Sequence, residues 1–92
     1  MPAPVRFPLG RIVATPAALD LLARHQRAPL EFIARHARAD WGQLEPEDVR
    51  ANESALRHGE RLLSSYAVGD ETLWLITEAD RSVTTLLLPA DY

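Results

Sequence analysis

The chain has 92 residues, of which 47% are hydrophobic and 25% charged, proportions that indicate one globular domain over residues 1–92 and exclude a disordered chain. It contains no cysteine, which excludes disulfides, a thiol nucleophile and thiolate metal ligands. No apolar run approaches the roughly 18 residues that a membrane-spanning helix needs. The N-terminal residues also lack the apolar stretch of a signal peptide, so we expect a cytoplasmic protein with no membrane contact.

The net charge of −3 conceals an uneven distribution along the chain. Residues 1–39 carry six arginines against two acids, a balance of +4, whereas residues 40–92 carry four arginines against eleven acids, a balance of −7. Such a division favours steering toward a charged partner or self-association by opposite ends, which makes a dimer possible. Alternatively, the two halves neutralise one another across the fold.

The first half of the chain contains start and stop signals that predict a strand and two helices. Residues 9–14 are short and apolar and predict a lone first strand, after which Thr15 and Pro16 supply a capping hydroxyl and a residue suited to the first helical turn. Pro29 then interrupts the helical pattern, because a proline inside a helix removes a backbone donor. We therefore expect a second helix over residues 29–39.

A third helix is predicted to begin near Pro46 and to end before Gly59. Glu47 and Asp48 lie in its first turn, where carboxylates complement the positive end of the helix dipole. A glycine directly after a helix is the usual stop signal, since it adopts the left-handed conformation without steric cost.

The last third of the chain predicts an antiparallel meander. Three β-rich runs cover residues 62–68, 71–77 and 83–88, and Gly69-Asp70 between the first two is suited to a tight hairpin turn. If that turn has two residues, Tyr66 pairs with Leu73 and Arg61 faces Glu78 across the strands, a favourable charge pair. The same register pairs Leu63 with Ile76. With three helices on one sheet face, the prediction is a two-layer α+β sandwich.

The two tryptophans receive different interpretations. Trp74 lies in the middle of a predicted strand among apolar neighbours, so we expect it in the core of the domain. Trp41 lies in a loop beside Gly42. It either closes the helix layer over the sheet or, if exposed, anchors an interface, because tryptophan is enriched at binding hot spots.

Four segments of the C-terminal half form a distinctive set: Asp40-Trp41-Gly42, Ala51-Asn52-Glu53, Leu62-Leu63-Ser64-Ser65-Tyr66 and, above all, Trp74-Leu75-Ile76-Thr77-Glu78-Ala79-Asp80-Arg81-Ser82. In these segments the sequence resembles a family of small bacterial proteins that are frequent on plasmids and other mobile elements. The similarity covers roughly residues 8–92. The resemblance implies an accessory role for a mobile element and supplies no catalytic or binding residue that can be carried over.

An acidic patch between the second and third helices is the predicted partner-binding site. Its residues are Asp40, Trp41, Glu45, Glu47, Asp48 and Glu53. Such a surface can mimic nucleic-acid phosphates to a basic protein partner, or it can simply be a solvated face whose acids complement the helix dipole. Together with the resemblance, it predicts a non-enzymatic protein–protein interaction module that inhibits a host defence complex of the restriction or CRISPR type.

The alternative function is nucleic-acid binding or a toxin-like nuclease. Arg24-His25-Gln26-Arg27 and Arg35-His36-Ala37-Arg38 repeat at a spacing of eleven residues, about three helical turns. On one straight helix they would form a basic stripe for phosphate contacts. Pro29 interrupts that line, and the net acidity of the chain argues against a dedicated nucleic-acid binder.

Signals for catalysis or metal binding are weak. His36 and Asp40 are spaced to share a helix face, either as a surface hydrogen bond or, with His58, as metal ligands, but no recognised zinc motif is present. Glu78 and Asp80 are explained by cross-strand pairing and turn chemistry, and Ser64 and Ser65 lack the surroundings of a nucleophile. We expect no enzyme activity, no cofactor and no metal.

Overall fold

The computed structural model describes residues 4–92; the first three residues of the predicted domain lie outside that range. The described part contains four strands, three helices and a short 3₁₀ turn. In chain order these are β1 (Arg11–Ala14), α1 (Pro16–Arg24), α2 (Pro29–Ala37), α3 (Pro46–His58), β2 (Leu62–Val68), β3 (Glu71–Thr77), β4 (Val83–Leu87) and the 3₁₀ turn Pro89–Asp91. The predicted α+β class is confirmed. No helix of the described residues is long and apolar enough to span a bilayer.

The four strands form one mixed sheet in the order β1-β4-β3-β2. Strands β2, β3 and β4 are the predicted antiparallel meander, and the register of its first hairpin is confirmed, because Tyr66 is paired with Leu73. The sheet is not purely antiparallel, however, since β1 pairs with β4 in parallel. Parallel neighbours need a long crossover, and here the three helices and the β2–β3 hairpin together form it.

Local capping chemistry explains where the helices begin and end. The Thr15 hydroxyl accepts a hydrogen bond from the Ala18 amide at 3.1 Å, and Pro16 occupies the first turn of α1. Helix α3 begins at Pro46 with Glu47 and Asp48 in its first turn, and Gly59 ends it with a left-handed φ of 68°. The predicted start of α1 and the predicted limits of α3 are therefore confirmed, whereas α2 ends at Ala37, two residues earlier than expected.

Two apolar clusters hold the helices against the sheet. The larger one joins α1 and α2 to a single sheet face through Leu21, Leu22 and Phe32, which contact Tyr66 and Leu75. The smaller one packs the N-terminal segment, the loop after α2, and α3 around Leu62; its buried members are Phe7, Trp41, Ala55 and Leu62. Burial of these side chains supplies the main driving force for the fold.

The outer edge of β2 is closed by hydrogen bonds rather than left free for pairing. The Asn52 side chain on α3 donates to the Leu63 carbonyl at 2.6 Å and accepts from the Leu63 amide at 3.1 Å. Two residues further along, the Ser65 amide donates to the Trp41 carbonyl and the Ser65 carbonyl accepts from the Gln43 amide. An exposed edge is prone to unwanted strand pairing, and this closure limits association to other surfaces.

Trp74 does not lie in the core, contrary to the sequence prediction. Neighbouring residues of a strand point to opposite faces of the sheet, so Leu73 and Leu75 face the helices and are fully buried, whereas Trp74 points away from them and is half-buried. Trp74 is on an interior strand, as predicted, but on the face that none of the three helices covers.

Candidate functional site

The sheet face opposite the helices, which we call the open face, is the main candidate surface. It is formed by alternate residues of the strands, and its apolar members are Val13, Leu63, Trp74, Ile76, Val83 and Leu87. None of these residues belongs to either of the two helix-packed clusters. Among the described residues, the segment that follows β4 covers part of this face: Ile76 and Leu87 are only 6% and 7% exposed, whereas Leu63 and Trp74 are half-buried.

A cleft of about 250 Å³ lies on the open face beside Trp74. Its lining is mostly apolar, and its residues are Arg61, Leu62, Leu63, Trp74, Ile76 and Tyr92. The Tyr92 ring crosses the Trp74 ring edge to face, with centroids 6.0 Å apart. Tyr92 is nevertheless 70% exposed, so it forms a wall of the cleft more than a cover over it.

Arg61 is the charged residue of this cleft, and its contacts confirm the predicted pairing with Glu78. Its Nη1 donates to the Tyr92 hydroxyl at 2.7 Å, while its Nη2 lies 3.4 Å from a Glu78 carboxylate oxygen. The guanidinium also lies 5.4 Å from the centre of the Tyr92 ring, within the range of a cation–π contact. Tryptophan, tyrosine and arginine dominate interface hot spots, and all three meet here.

Two carboxylates of the predicted acidic patch are already paired with other side chains of the protein. Asp40 forms an ion pair with Arg35 at 2.7 Å, and this guanidinium holds the pKa of Asp40 below its usual range. Glu53 pairs with Arg6 at 3.3 Å and accepts a hydrogen bond from the Trp41 indole at 3.1 Å. These two carboxylates are therefore less available to a partner than the sequence suggested.

Trp41 is not an exposed anchor, which corrects its place in the predicted partner-binding site. It is only 4% exposed and lies between Phe7 and His36. The structure instead supports the alternative interpretation, in which Trp41 closes the helix layer. The remaining members of the patch, Glu45, Glu47 and Asp48, are exposed at the start of α3, and within residues 4–92 they form no ion pair.

The Arg/His repeat does not form a basic stripe. Its two copies lie at the C-terminal ends of separate helices, the first continuing past the end of α1 at Arg24 and the second past the end of α2 at Ala37. Three of their arginines are neutralised by acids of the protein: Arg24 pairs with Asp20 and Glu71, Arg27 with Glu31 and Arg35 with Asp40. The second histidine, His36, is fully buried. The nucleic-acid alternative therefore draws no support from this surface.

His36 is the buried centre of a hydrogen-bonded chain, not the surface partner of Asp40 that its spacing suggested. Its Nδ1 lies 2.5 Å from the Ser64 hydroxyl, and its Nε2 lies 2.9 Å from the Thr77 hydroxyl. Thr77 in turn contacts the Thr84 hydroxyl at 2.7 Å, and Thr84 donates to the Leu9 carbonyl at 2.7 Å. This series of hydrogen bonds links the N-terminal segment, α2 and the three strands β2, β3 and β4.

The polarity of this chain follows from its last acceptor. Because the Leu9 carbonyl can only accept, Thr84 donates to it, Thr77 donates to Thr84, and His36 Nε2–H donates to Thr77. Nδ1 is then the acceptor for the Ser64 hydroxyl, so we infer a neutral imidazole protonated on Nε2. Burial, and secondarily the nearby Arg81 guanidinium, lowers the pKa of His36 to about 4.

The groups considered for metal binding or catalysis are not brought together. Within the described residues, no three His, Asp or Glu side chains are placed to hold a metal ion, and His58 bonds Ser54 on its own helix. Asp80 caps the turn through the Ser82 amide at 3.0 Å. Ser64 is near a histidine but fully buried, so it cannot meet a substrate without unfolding.

Neither a family model, nor a curated protein, nor a solved structure matches this chain. The resemblance to proteins of mobile elements therefore stays a prediction.

Proposed function

We propose that this protein is a non-enzymatic protein–protein interaction module that binds its partner through the open face of the sheet. One observation carries the proposal: Trp74, Tyr92 and Arg61 lie together on an apolar sheet face that the three helices leave uncovered. Exposed apolar surface that is rimmed by polar residues is typical of interaction sites. The proposed occupant is another protein, because tryptophan, tyrosine and arginine are the residues enriched at protein–protein hot spots. The closed β2 edge leaves side chains, and not backbone pairing, to form the contact on that side.

The three exposed carboxylates at the start of α3, Glu45, Glu47 and Asp48, have a secondary role in this proposal. They support the expectation of a partner with a basic rim, since charges at the rim of an interface act mainly on the association rate. A cytoplasmic location and a target in a host defence complex remain part of the same proposal. Both derive from the sequence and its resemblance.

The test is capture of the partner from the cells that encode the protein, with mass spectrometry and a set of matched variants. Tyr92→Ser on the open face is compared with Leu30→Ser on α2, because both side chains are 70% exposed and both changes remove a large apolar group. We expect Tyr92→Ser to weaken capture of one specific protein at least fivefold, about 1 kcal/mol, and Leu30→Ser to leave it unchanged.

Two further variants separate the competing surfaces. Reversing Glu47 and Asp48 to lysine should slow association and make the complex more salt-sensitive without abolishing it. If this reversal abolishes capture while Tyr92→Ser has no effect, the acidic patch is the binding site and the proposal is wrong. A gel shift of DNA or RNA at physiological salt that disappears with Arg24→Glu and Arg35→Glu would establish the nucleic-acid alternative instead.

A further inference from the structure

The cleft beside Trp74 combines an apolar lining with a single charged group. Leu63, Trp74 and Ile76 supply apolar walls, and Arg61 is the one ionisable residue among the lining apart from the tyrosine. The Arg61 side chain is 47% exposed. An occupant of this cleft would therefore meet hydrocarbon on most sides and a guanidinium at one end.

The present contacts of Arg61 leave donors available for an incoming anion. A guanidinium carries five N–H donors, of which Arg61 uses one on the Tyr92 hydroxyl and one on Glu78. The Glu78 contact is a single one at 3.4 Å, whereas a paired, two-bond arginine–carboxylate contact has N–O distances of about 2.7–2.9 Å. A half-exposed pair of this kind contributes at most about 1 kcal/mol, so another carboxylate can compete for Arg61.

The size of the cleft limits what can enter it. Its volume of about 250 Å³ lies below the roughly 300–1,000 Å³ of pockets that enclose drug-sized ligands. It suits one large side chain better than a nucleotide with its base, sugar and phosphate. A single protruding side chain of a partner protein is the occupant that matches both the volume and the apolar walls.

We propose that the Trp74 cleft binds an apolar side chain of the partner that stands next to a carboxylate, with Arg61 as the counter-ion of that carboxylate. The inference rests on the proposed function and specifies the chemistry that the open face recognises. The carboxylate is either an acidic side chain or the end of a chain, since both present the same two oxygens to Arg61. Glu78 occupies the guanidinium in the free protein and is displaced on binding.

The test uses small probes and the nuclear magnetic resonance signal of the Trp74 indole N–H. The chain has two tryptophans, so Trp74→Phe assigns the signal. The probes are N-acetyl-leucine, N-acetyl-leucine amide, and N-acetyl-leucyl-glutamate amide, which carries its carboxylate on a side chain. We expect the two acids to bind at least threefold more tightly than the amide, and the stronger of the two identifies the source of the carboxylate.

Three variants test the role of Arg61 directly. Arg61→Gln should remove the preference for acids over the amide. Glu78→Gln should raise the affinity for the acids about two- to fivefold, because it removes the competing carboxylate. Arg57→Gln is the matched control, since Arg57 is exposed on α3 and makes no ion pair within residues 4–92, and it should change nothing.

The Glu78→Gln result is informative because a merely structural role for the pair predicts the opposite. The inference is overturned if the acids and the amide bind equally well, or if Glu78→Gln binds the acids more weakly. It is also overturned if no probe shifts the indole signal at roughly 50 mM, or if adenosine monophosphate binds more tightly than N-acetyl-leucine. These outcomes leave capture through the open face intact. Conversely, capture that is indifferent to Tyr92→Ser refutes the proposed function, whatever the probes do.

Discussion

Lowering the pH from about 7 to about 5 should destabilise this protein by about 2 kcal/mol through one buried side chain, His36. The pKa of His36 is lowered from 6.5 to about 4 in the folded protein. The unfolded chain therefore takes up a proton in a range where the folded protein does not, and stability rises with pH across that range. The contribution is complete above about pH 6.5 and is lost as the pH falls toward 4.

The magnitude follows from the size of the pKa difference. Each unit corresponds to about 1.4 kcal/mol, so the full effect is about 3 kcal/mol, of which about 2 kcal/mol is lost by pH 5. The carboxylates whose pKa values are lowered act in a different range: Glu31, Asp40, Asp80 and Asp91 all begin from 4.5 or below. Their contributions are lost only at more acidic pH, so the window between pH 7 and pH 5 reports mainly on His36.

The assay is urea unfolding at several pH values, read from the midpoint at a constant m-value. His36→Gln provides the comparison, because glutamine has no charge to gain and its stability should be nearly flat over this window. If the variant does not fold, the imidazole carbon–proton signals of the unaltered protein give the pKa of His36 directly. A flat stability profile, or a pKa of His36 near 6.5, would refute the buried, neutral imidazole and the hydrogen-bond polarity derived from it.

Two further comparisons test the packing of the sheet by thermal or urea unfolding. Trp41→Ala should cost about 3–5 kcal/mol, as for other buried aromatics, whereas Trp74→Ala should cost about 2 kcal/mol because one side of its ring is already exposed; the reverse order would return Trp74 to the core. Thr84→Val should cost about 1–3 kcal/mol, since it removes the acceptor of the Thr77 O–H and the donor to the Leu9 carbonyl, while Thr85→Val on the open face should change stability by less than about 0.5 kcal/mol. Equal effects of the two threonine substitutions would contradict the proposed importance of the buried chain.

Local signals predicted the hairpin well because the information lies within a few residues. The Gly69-Asp70 turn fixes the register, and the pairing of Tyr66 with Leu73 and of Arg61 with Glu78 follows from it. The position of β1 could not be predicted in the same way. Its parallel pairing joins Arg11 to Val83, and the local sequence of neither strand predicts that it pairs with the other.

The incorrect predictions that Trp74 lies in the core and that His36 is a surface partner of Asp40 have a shared physical cause. Alternation along β3 shows that Leu75 and Trp74 lie on opposite faces, but it does not say which face the helices cover. Likewise, the spacing of His36 and Asp40 does not say which face of α2 is buried. A usable signal was present, since Phe32 and His36 are also four residues apart and therefore share the apolar stripe of the helix.

The buried hydrogen-bonded chain explains how a sheet that is apolar on both faces accepts helices on only one of them. Leu75 and Ile76, adjacent on β3, offer comparable apolar surface to the two sides, so hydrophobic burial alone distinguishes the faces poorly. The hydroxyls of Ser64, Thr77 and Thr84 do distinguish them, because α2 must bring His36 to this face for all of these groups to be satisfied. Packing the helices on the other face would separate His36 from these three hydroxyls, and a buried polar group that loses its partner costs free energy. The face left over is the one that carries Trp74, and the polar core thereby determines which surface is free for a partner.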